Sequence, residues 1–477
     1  MRLQLMLRQS ADDTLSSIEN RKYFLPASRV CDRIAEATIF DGSISKSSNK
    51  IASRARNDEL NYHLIWGVGL KNCKSYFSQS LLRTLLCVFV WFAHCSSYGQ
   101  NNQPYEKSLL FDTTKIEVDF LFGYYEQEGN HSVVTGGIGT EQLADQDYKV
   151  VVRVPVDSTR RITFRPNVNY YTSASTDNID SKTSASKSDI RVQLYFDYEK
   201  VNPYTRQYWK FSAGGSGESD YSSKGLQLSW TQYRKDLNAS LTLSGSVFFD
   251  DWVMIFPEEL RTDSTLLPTD DKRNSYSFAS TYSGIITPRM RGSISASLTY
   301  QDGLLSTPFH RAYFVEEELP RIEKLPDSRI KFPIAGQLNF FPIPQLILKL
   351  WGRQYWDDFG ITSSTVRLES IGKLGTFFSL YGFYRYHNQS GSEFFAPFKS
   401  HLTGSEFYTS DFDLSTFDSH HFGAGLRWKP LNGLANFPFF RWPTQISSLN
   451  VRFGRYYRSD GLSSYQISGA LGFVLGK

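Results

Sequence analysis

The chain has 477 residues, 40% of them hydrophobic and 15% aromatic, and a mean hydropathy of −0.37. That hydropathy excludes a bundle of apolar membrane helices, yet 36 Phe and 28 Tyr are many for a soluble domain; a barrel with a wet lumen and two aromatic girdles produces both values. The net charge of +4 comes from the start of the chain: residues 1–99 hold 13 Lys and Arg against 8 Asp and Glu, the rest 39 against 40, so nothing electrostatic points to nucleic acid.

Residues 1–79 show no clear periodicity and form an irregular N-terminal extension. Residues 80–99 resemble a secretory signal: Lys71, Lys74 and Arg83 precede the apolar run Thr84 to Phe92, and Ser97-Tyr98-Gly99 offers small residues for cleavage before Gln100. The run is too short for a spanning helix; a buried helix of an N-terminal domain is the alternative. A signal so far into the chain suggests a start site placed too far upstream, one needing a non-Met codon because no methionine lies between Met6 and Met254. Cys31, Cys73, Cys87 and Cys95 all precede residue 100, so the body carries no disulfide framework and no thiolate metal site.

From Ile116 onward the chain alternates with period two, the signature of strands with one apolar face. Ile116, Val118, Phe120, Phe122 and Tyr124 oppose Glu117, Asp119, Leu121, Gly123 and Tyr125. Arg161–Tyr171, Asp189–Glu199 and Arg289–Tyr300 repeat the pattern with charges and hydroxyls on the second face. Weaker members cover 148–156, 208–215, 225–233, 239–249, 275–286, 329–341, 345–355, 362–371, 377–387, 420–428 and 447–457. The last strand, Ser464–Leu475, sets Tyr465, Ile467, Gly469, Leu471, Phe473 and Leu475 against Gln466, Ser468, Ala470, Gly472 and Val474. About sixteen strands result, each near the 9–11 residues that cross a bilayer when tilted.

The connections alternate as well. Long links at 126–147, 172–188, 250–274, 301–328 and 388–419 are separated by short ones such as Asp157–Arg160, Lys235-Asp236-Leu237 and Pro342-Ile343-Pro344. Outer-membrane barrels have tight periplasmic turns and longer outer loops, which puts both termini in the periplasm. The link 429–444, rich in Pro and aromatics, breaks this parity. A soluble sandwich, the alternative, would space its turns more evenly.

Several stretches resemble a family of Gram-negative outer-membrane barrels known only as a domain of unknown function: YYTSAST at 170–176, QDGLLSTPFHRAY at 301–313, YWDDFGI at 355–361, RYHNQSGSEFF at 385–395 and RSDGLSSYQISGALGF at 458–473. The resemblance covers roughly residues 110–477. It implies an outer-membrane barrel and no particular reaction, with a redox or flavin-related envelope setting suggested only by association. The ending Phe-Val-Leu-Gly-Lys departs from the usual terminal aromatic, which leaves Phe473 as the insertion signal.

No catalytic signature stands out. Gly136-Gly137-Ile138-Gly139 lacks the Lys-Ser/Thr of a phosphate loop and reads as a flexible loop. Asn130-His131-Ser132 and His387-Asn388 with Ser390 invite comparison with barrel-rim lipid hydrolases, but a serine nucleophile needs an oriented base. Acidic residues such as Asp263, Asp270, Asp271 and Glu316–Glu318 read as solvated loop charge. His420 and His421 point to opposite faces of a strand and cannot share a metal from it. Neither metal nor cofactor is expected.

The lumen-facing set follows from parity, because a charge facing lipid at mid-membrane costs roughly 2–4 kcal/mol. It comprises Arg153, Arg165, Arg191, Asp197, Glu199, Arg291, Lys331, Lys349, Arg353, Glu369, Arg385 and Arg452. The loop 304–327, with Phe309, His310, Tyr313 and Phe314, is the candidate for folding inward as a constriction. The reading is all-β: a signal at 80–99, then a transmembrane antiparallel β-barrel over 100–477 in the outer membrane of a Gram-negative bacterium, forming a pore for small polar solutes. Its expected partners are outer-membrane lipid and the barrel-assembly machinery. A non-transporting scaffold, docking a periplasmic or lipoprotein partner through 429–444, is the first alternative; a lipid hydrolase is the second.

Overall fold

The computed structural model of the protein describes residues 109–172, 188–254, 270–307, 309–439 and 442–476. The extension 1–79, the signal 80–99 and Asp263 lie outside these. The chain forms β1 (Lys115–Gly129), β2 (Glu141–Pro155), β3 (Arg160–Thr172), β4 (Ser188–Asn202), β5 (Gln207–Gly217), β6 (Tyr221–Tyr233), β7 (Ala239–Val253), β8 (Asp270–Thr287) and β9 (Met290–Gly303). Then come the short β10 (Arg311–Ala312) and β11 (Arg321–Ile322), followed by β12 (Ser328–Ile343), β13 (Leu346–Asp357), β14 (Thr362–Leu374), β15 (Phe378–Gln389), β16 (Phe417–Trp428), β17 (Ala435–Phe439), β18 (Trp442–Arg458) and β19 (Ser463–Gly476).

Sixteen of these close an antiparallel ring in chain order, leaving out β10, β11 and β17. The closing seam pairs β1 with β19: Val118 faces Phe473, Phe120 faces Leu471 and Phe122 faces Gly469. Phe473 also packs edge-on against Phe120, ring centroids 5.4 Å apart. A closed ring leaves no sheet edge to satisfy in lipid.

Parity assigns the two faces. Phe120, Ile190, Val192, Leu194, Phe196, Leu226, Leu228, Phe278, Ile294, Leu298, Val366 and Leu368 are exposed on the outside, whereas their neighbours Asp119, Arg191, Asp197, Ser297, Thr299 and Glu369 are buried inside. This is the reverse of a soluble fold, and it makes the wall a transmembrane one: apolar residues cover the lipid face, and polar residues meet one another and water.

Strand ends sort into a loop end and a turn end. The links at the loop end include the long 130–140, 173–187, 254–269, 304–327 and 390–416, but also the short 218–220, 358–361 and 459–462, so end and not length carries the alternation. At the turn end every link is short except 429–441. That stretch contains β17, which pairs Ala435–Phe439 against Ile446–Trp442. Since β16 leaves β18 at the Trp428–Leu449 pair, β17 takes the place of β16 beyond its end and lengthens the wall there. Pro438 is tolerated because β17 pairs on one side only.

Candidate functional site: the lumen and its two covers

The inner wall divides into three arcs. On β1 to β5 the inward charges are of both signs and several pair: Arg153 with Asp119 at 2.7 Å, Arg165 with Asp197 at 2.6 Å, Lys210 with Asp197 at 3.2 Å, and Arg161 with Glu199. The arc from β6 to β9 is mostly Ser and Thr, linked by hydroxyl contacts such as Thr231–Thr242 at 2.8 Å, Ser240–Ser283 at 3.0 Å and Ser277–Thr299 at 2.9 Å. Its main ion pair, Arg273 with Asp250 at 2.8 Å, is fully buried. From β12 to β18 the wall is basic. The inward positions carry Arg329, Lys331, Lys349, Arg353, Arg367, Lys373, Arg385, Arg427, Arg452 and Arg458, against Asp357 and Glu369 as the only inward acids on these strands.

Glu369 is the hub of that basic arc. Lys349 Nζ donates to it at 3.0 Å and Arg367 at 2.8 Å, with Arg452 at 3.9 Å. Inward aromatics form a pavement beneath the cations. Tyr381 faces Gly425 and Phe383 faces Gly423 directly across the β15–β16 ladder, and a Cβ at Gly423 would lie 2.8 Å from the Phe383 ring. Glycine therefore lets each ring lie back against the wall. Phe248 lies over Gly225, and Tyr195 over Gly214, in the same manner. The Arg452 guanidinium sits 4.8 Å from Tyr381 and 5.4 Å from Phe383, and Arg367 sits 5.0 Å from Phe383.

Three long links interlock at the loop end. Loop 304–327 follows β9 and loop 130–140 follows β1, eight strands apart in a ring of sixteen and thus on opposite sides of the opening. They nevertheless touch: Arg311 Nη1 donates to the Val134 carbonyl at 2.5 Å, and the Tyr313 ring lies against Gly136. Chain therefore crosses the opening. Loop 390–416 joins the cap. Phe314 packs on His401 and Tyr408 at 5.5 and 4.9 Å, Tyr313 packs on Phe398 at 4.7 Å, and His131 stacks on Phe412 at 3.8 Å. Glu323, buried among them, accepts from the Thr307 amide at 2.6 Å and from Thr409 Oγ1 at 2.5 Å, with His310 Nδ1 at 3.4 Å. Burial holds the His401 imidazole below its ordinary pKa and pushes the Tyr408 phenol up.

At the turn end the segment before β1 packs onto one side of the wall. Phe111 donates its amide to the Ser158 carbonyl at 2.8 Å, and Arg161 lies over its ring at 4.5 Å. Leu109 and Phe111 then pack on Val201, Tyr208, Tyr233 and Leu237 of the β4–β7 arc.

All twelve residues of the predicted lumen set stand on the inward face, scattered over three arcs rather than one constriction. The predicted constriction loop meets loops 130–140 and 390–416 at the loop end. Phe314 is its anchor, His310 joins the Glu323 hub, Tyr313 bridges two loops, and Phe309 remains 36% exposed. Gly136-Gly137-Ile138-Gly139, expected to be a flexible loop, receives Tyr313 and Phe412; φ of 82° and 91° at the first two glycines and the close ring approach both demand glycine. The hydrolase candidates are engaged elsewhere: His387 Nδ1 meets Thr365 Oγ1 at 2.8 Å, while Ser390 Oγ takes the Thr362 amide at 2.8 Å. His420 lies outside against Tyr384, and His421 inside against Gln466. Among the described residues no three His, Cys, Asp or Glu converge as a metal site.

A family model described as "Protein of unknown function (DUF3570)" matches residues 113–437. The chain belongs to that family. Among curated proteins none matches. Solved structures with a similar chain path include the siderophore receptor PirA from Pseudomonas aeruginosa, at 10% identity and a TM-score of 0.36 over 72% of this chain and 56% of that one. The outer membrane protein opdK from Pseudomonas aeruginosa matches at 9% and 0.35 over 76% and 99%, and a bacterial polysaccharide outer membrane secretin at 9% and 0.40 over 76% and 98%. This chain spans little more than half the length of the siderophore receptor.

Several inward residues of this family member were missed from sequence: Asp145 and Asp147 on β2, Lys210 on β5, Arg367 and Lys373 on β14, Arg427 on β16 and Arg458 on β18. A charge tally by strand parity would have found both them and the basic arc.

Proposed function

We propose that the protein is an outer-membrane channel for small polar solutes, closed at rest by the loop cap on the outside and by the segment 109–113 on the periplasmic side. The observation that supports this reading most is a polar inner wall on every arc of a sixteen-strand ring, a strand number that encloses water unless loops fill it. The cap is held by hydrogen bonds and ring contacts, which can separate and re-form, and so suits a gate. Both the start of β1 and the end of β19 lie at the turn end, which we assign to the periplasm. Purified protein in planar bilayers is expected to show discrete conductance steps that grow longer-lived when the cap is loosened. A folded barrel that stays silent with both covers removed refutes the channel.

A scaffold reading has one observation in its favour: the β17 hairpin leaves Leu431 83% exposed and Phe437 half-exposed at the turn end. Deleting residues 431–439 separates the two, because a scaffold loses partner capture while a channel keeps its conductance.

A further inference from the structure

We infer that the wall from β13 to β18 is a binding track for small organic anions, engaging their carboxylate or phosphate groups through stacked guanidinium groups. The transport part of this inference rests on the channel reading; the binding part does not. Arg367 and Arg385 face one another directly across the β14–β15 ladder, on the inward side. Like charges in that position destabilise a sheet, whereas on the mixed arc Arg161 lies across from Glu199 and pairs with it. Further along the same row Arg385 faces His421, whose charged neighbours are Arg385, Arg367 and Arg452. Of this group Arg367 and Arg452 reach Glu369, and the inward positions from β12 to β18 hold ten bases against two acids.

The aromatic pavement draws the cations to its ring faces, and a guanidinium so placed keeps N–H donors at its edge, the side from which a carboxylate or phosphate is met. Arg353 lies 5.8 Å from the Trp351 ring, and Arg367 over Phe383 and Arg452 over Tyr381 repeat the approach on three strands. Such forks match the two oxygens of a carboxylate or phosphate, which a lysine wall would not discriminate from chloride. A row of one sign beside low-dielectric walls also focuses the field along the lumen.

The test uses the full chain in detergent micelles and in planar bilayers, with succinate and inorganic phosphate as probes. Titration calorimetry is expected to show saturable binding of at least one probe, weakened about tenfold or more in Arg353→Gln/Arg385→Gln and unchanged in Arg165→Gln on the mixed arc. Arg353→Lys/Arg385→Lys keeps the charge and removes the fork, and is expected to fall between the two. Reversal potentials in a KCl gradient are expected to show anion preference that the Gln pair abolishes. Absence of binding by both probes, or equal loss in the Arg165 variant, overturns the track. Silent bilayers with binding intact overturn the channel reading alone; conductance without anion preference and without binding overturns the anion inference alone.

Discussion

Leu228 and Gln227, neighbours near the middle of β6, test the sidedness of the wall with one residue type. Leu228 is 50% exposed on the outer face, directly opposite Phe211 on one side and Gly245 on the other. Gln227 points inward between Ser212 and Ser246, where small hydroxyl side chains leave room and water. Leu228→Arg puts a guanidinium against lipid at mid-wall, costing about 2–4 kcal/mol, or roughly 30- to 700-fold in the folded-to-unfolded ratio. Gln227→Arg meets only hydroxyls and solvent, and the cost falls within about 0.5 kcal/mol, as at a surface site. Urea unfolding of the barrel in lipid vesicles, followed by tryptophan fluorescence and by heat-modifiable mobility, reads both. Equal stabilities for the two variants, or a larger loss in Gln227→Arg, would invert the two faces and remove the lumen described above.

Four further outcomes follow from the geometry. Asp250→Ala strands the buried Arg273 and is expected to cost about 3–5 kcal/mol in the same assay, whereas Asp250→Leu with Arg273→Met recovers most of it. Glu323→Gln loosens the cap by weakening the bonds from Thr307 and Thr409, raising amide exchange in loops 304–327 and 390–416 while leaving β1 to β9 protected; unchanged exchange in both loops refutes the hub. Replacing loop residues 309–322 with a short Gly-Ser linker is expected to raise open probability several-fold in bilayers, and no change would mean that the cap does not gate. For His401, burial places the folded pKa below the unfolded value near 6.5, so its contribution to cap stability is complete above that value and is lost as pH falls below it. Cap protection factors, taken relative to the slower intrinsic exchange in acid, should therefore fall from pH 7.5 to pH 5, and His401→Gln should flatten that fall.

The strand pattern was legible because lipid and lumen impose opposite demands on consecutive residues, so Arg165 beside Phe164 or Arg191 beside Val192 already assigns a side. The strand count follows from the same rule. What the sequence hid depends on pairing across distance. Phe314 is visible as an apolar anchor, but its partners His401 and Tyr408 lie far along the chain. Gly136 and Gly137 look like slack until Tyr313 and Phe412 are seen resting on them. Likewise Phe383 and Tyr381 share the inward parity of Arg385, and only the β15–β16 register reveals the glycines across from them. The stretch 429–444 breaks the parity of the links by its length, and the strand β17 inside it carries Pro438, which is tolerated because β17 lies at an edge.

The two covers and the basic arc bear on one another. The cap ties loops 130–140, 304–327 and 390–416 together, and the last of these lies between β15 and β16, at the loop end of the basic arc. Arg458, at the loop end of β18, reaches Asp413 of that loop at 2.6 Å, and Gln389, at the end of β15, donates to the Asp413 and Ser415 carbonyls. The Asp413 carboxylate thus holds the cap to the upper edge of the basic wall. On the anion reading proposed above, an anion arriving at the loop end competes with Asp413 for Arg458, which Asp460 also holds, so arrival of the anion and loosening of that contact draw on the same guanidinium. By reciprocity, an anion that weakens the Arg458–Asp413 pair must itself bind more tightly once the pair is broken. Asp413→Asn should therefore strengthen anion binding and open the cap together; strengthening one without the other would show that wall and cap act independently.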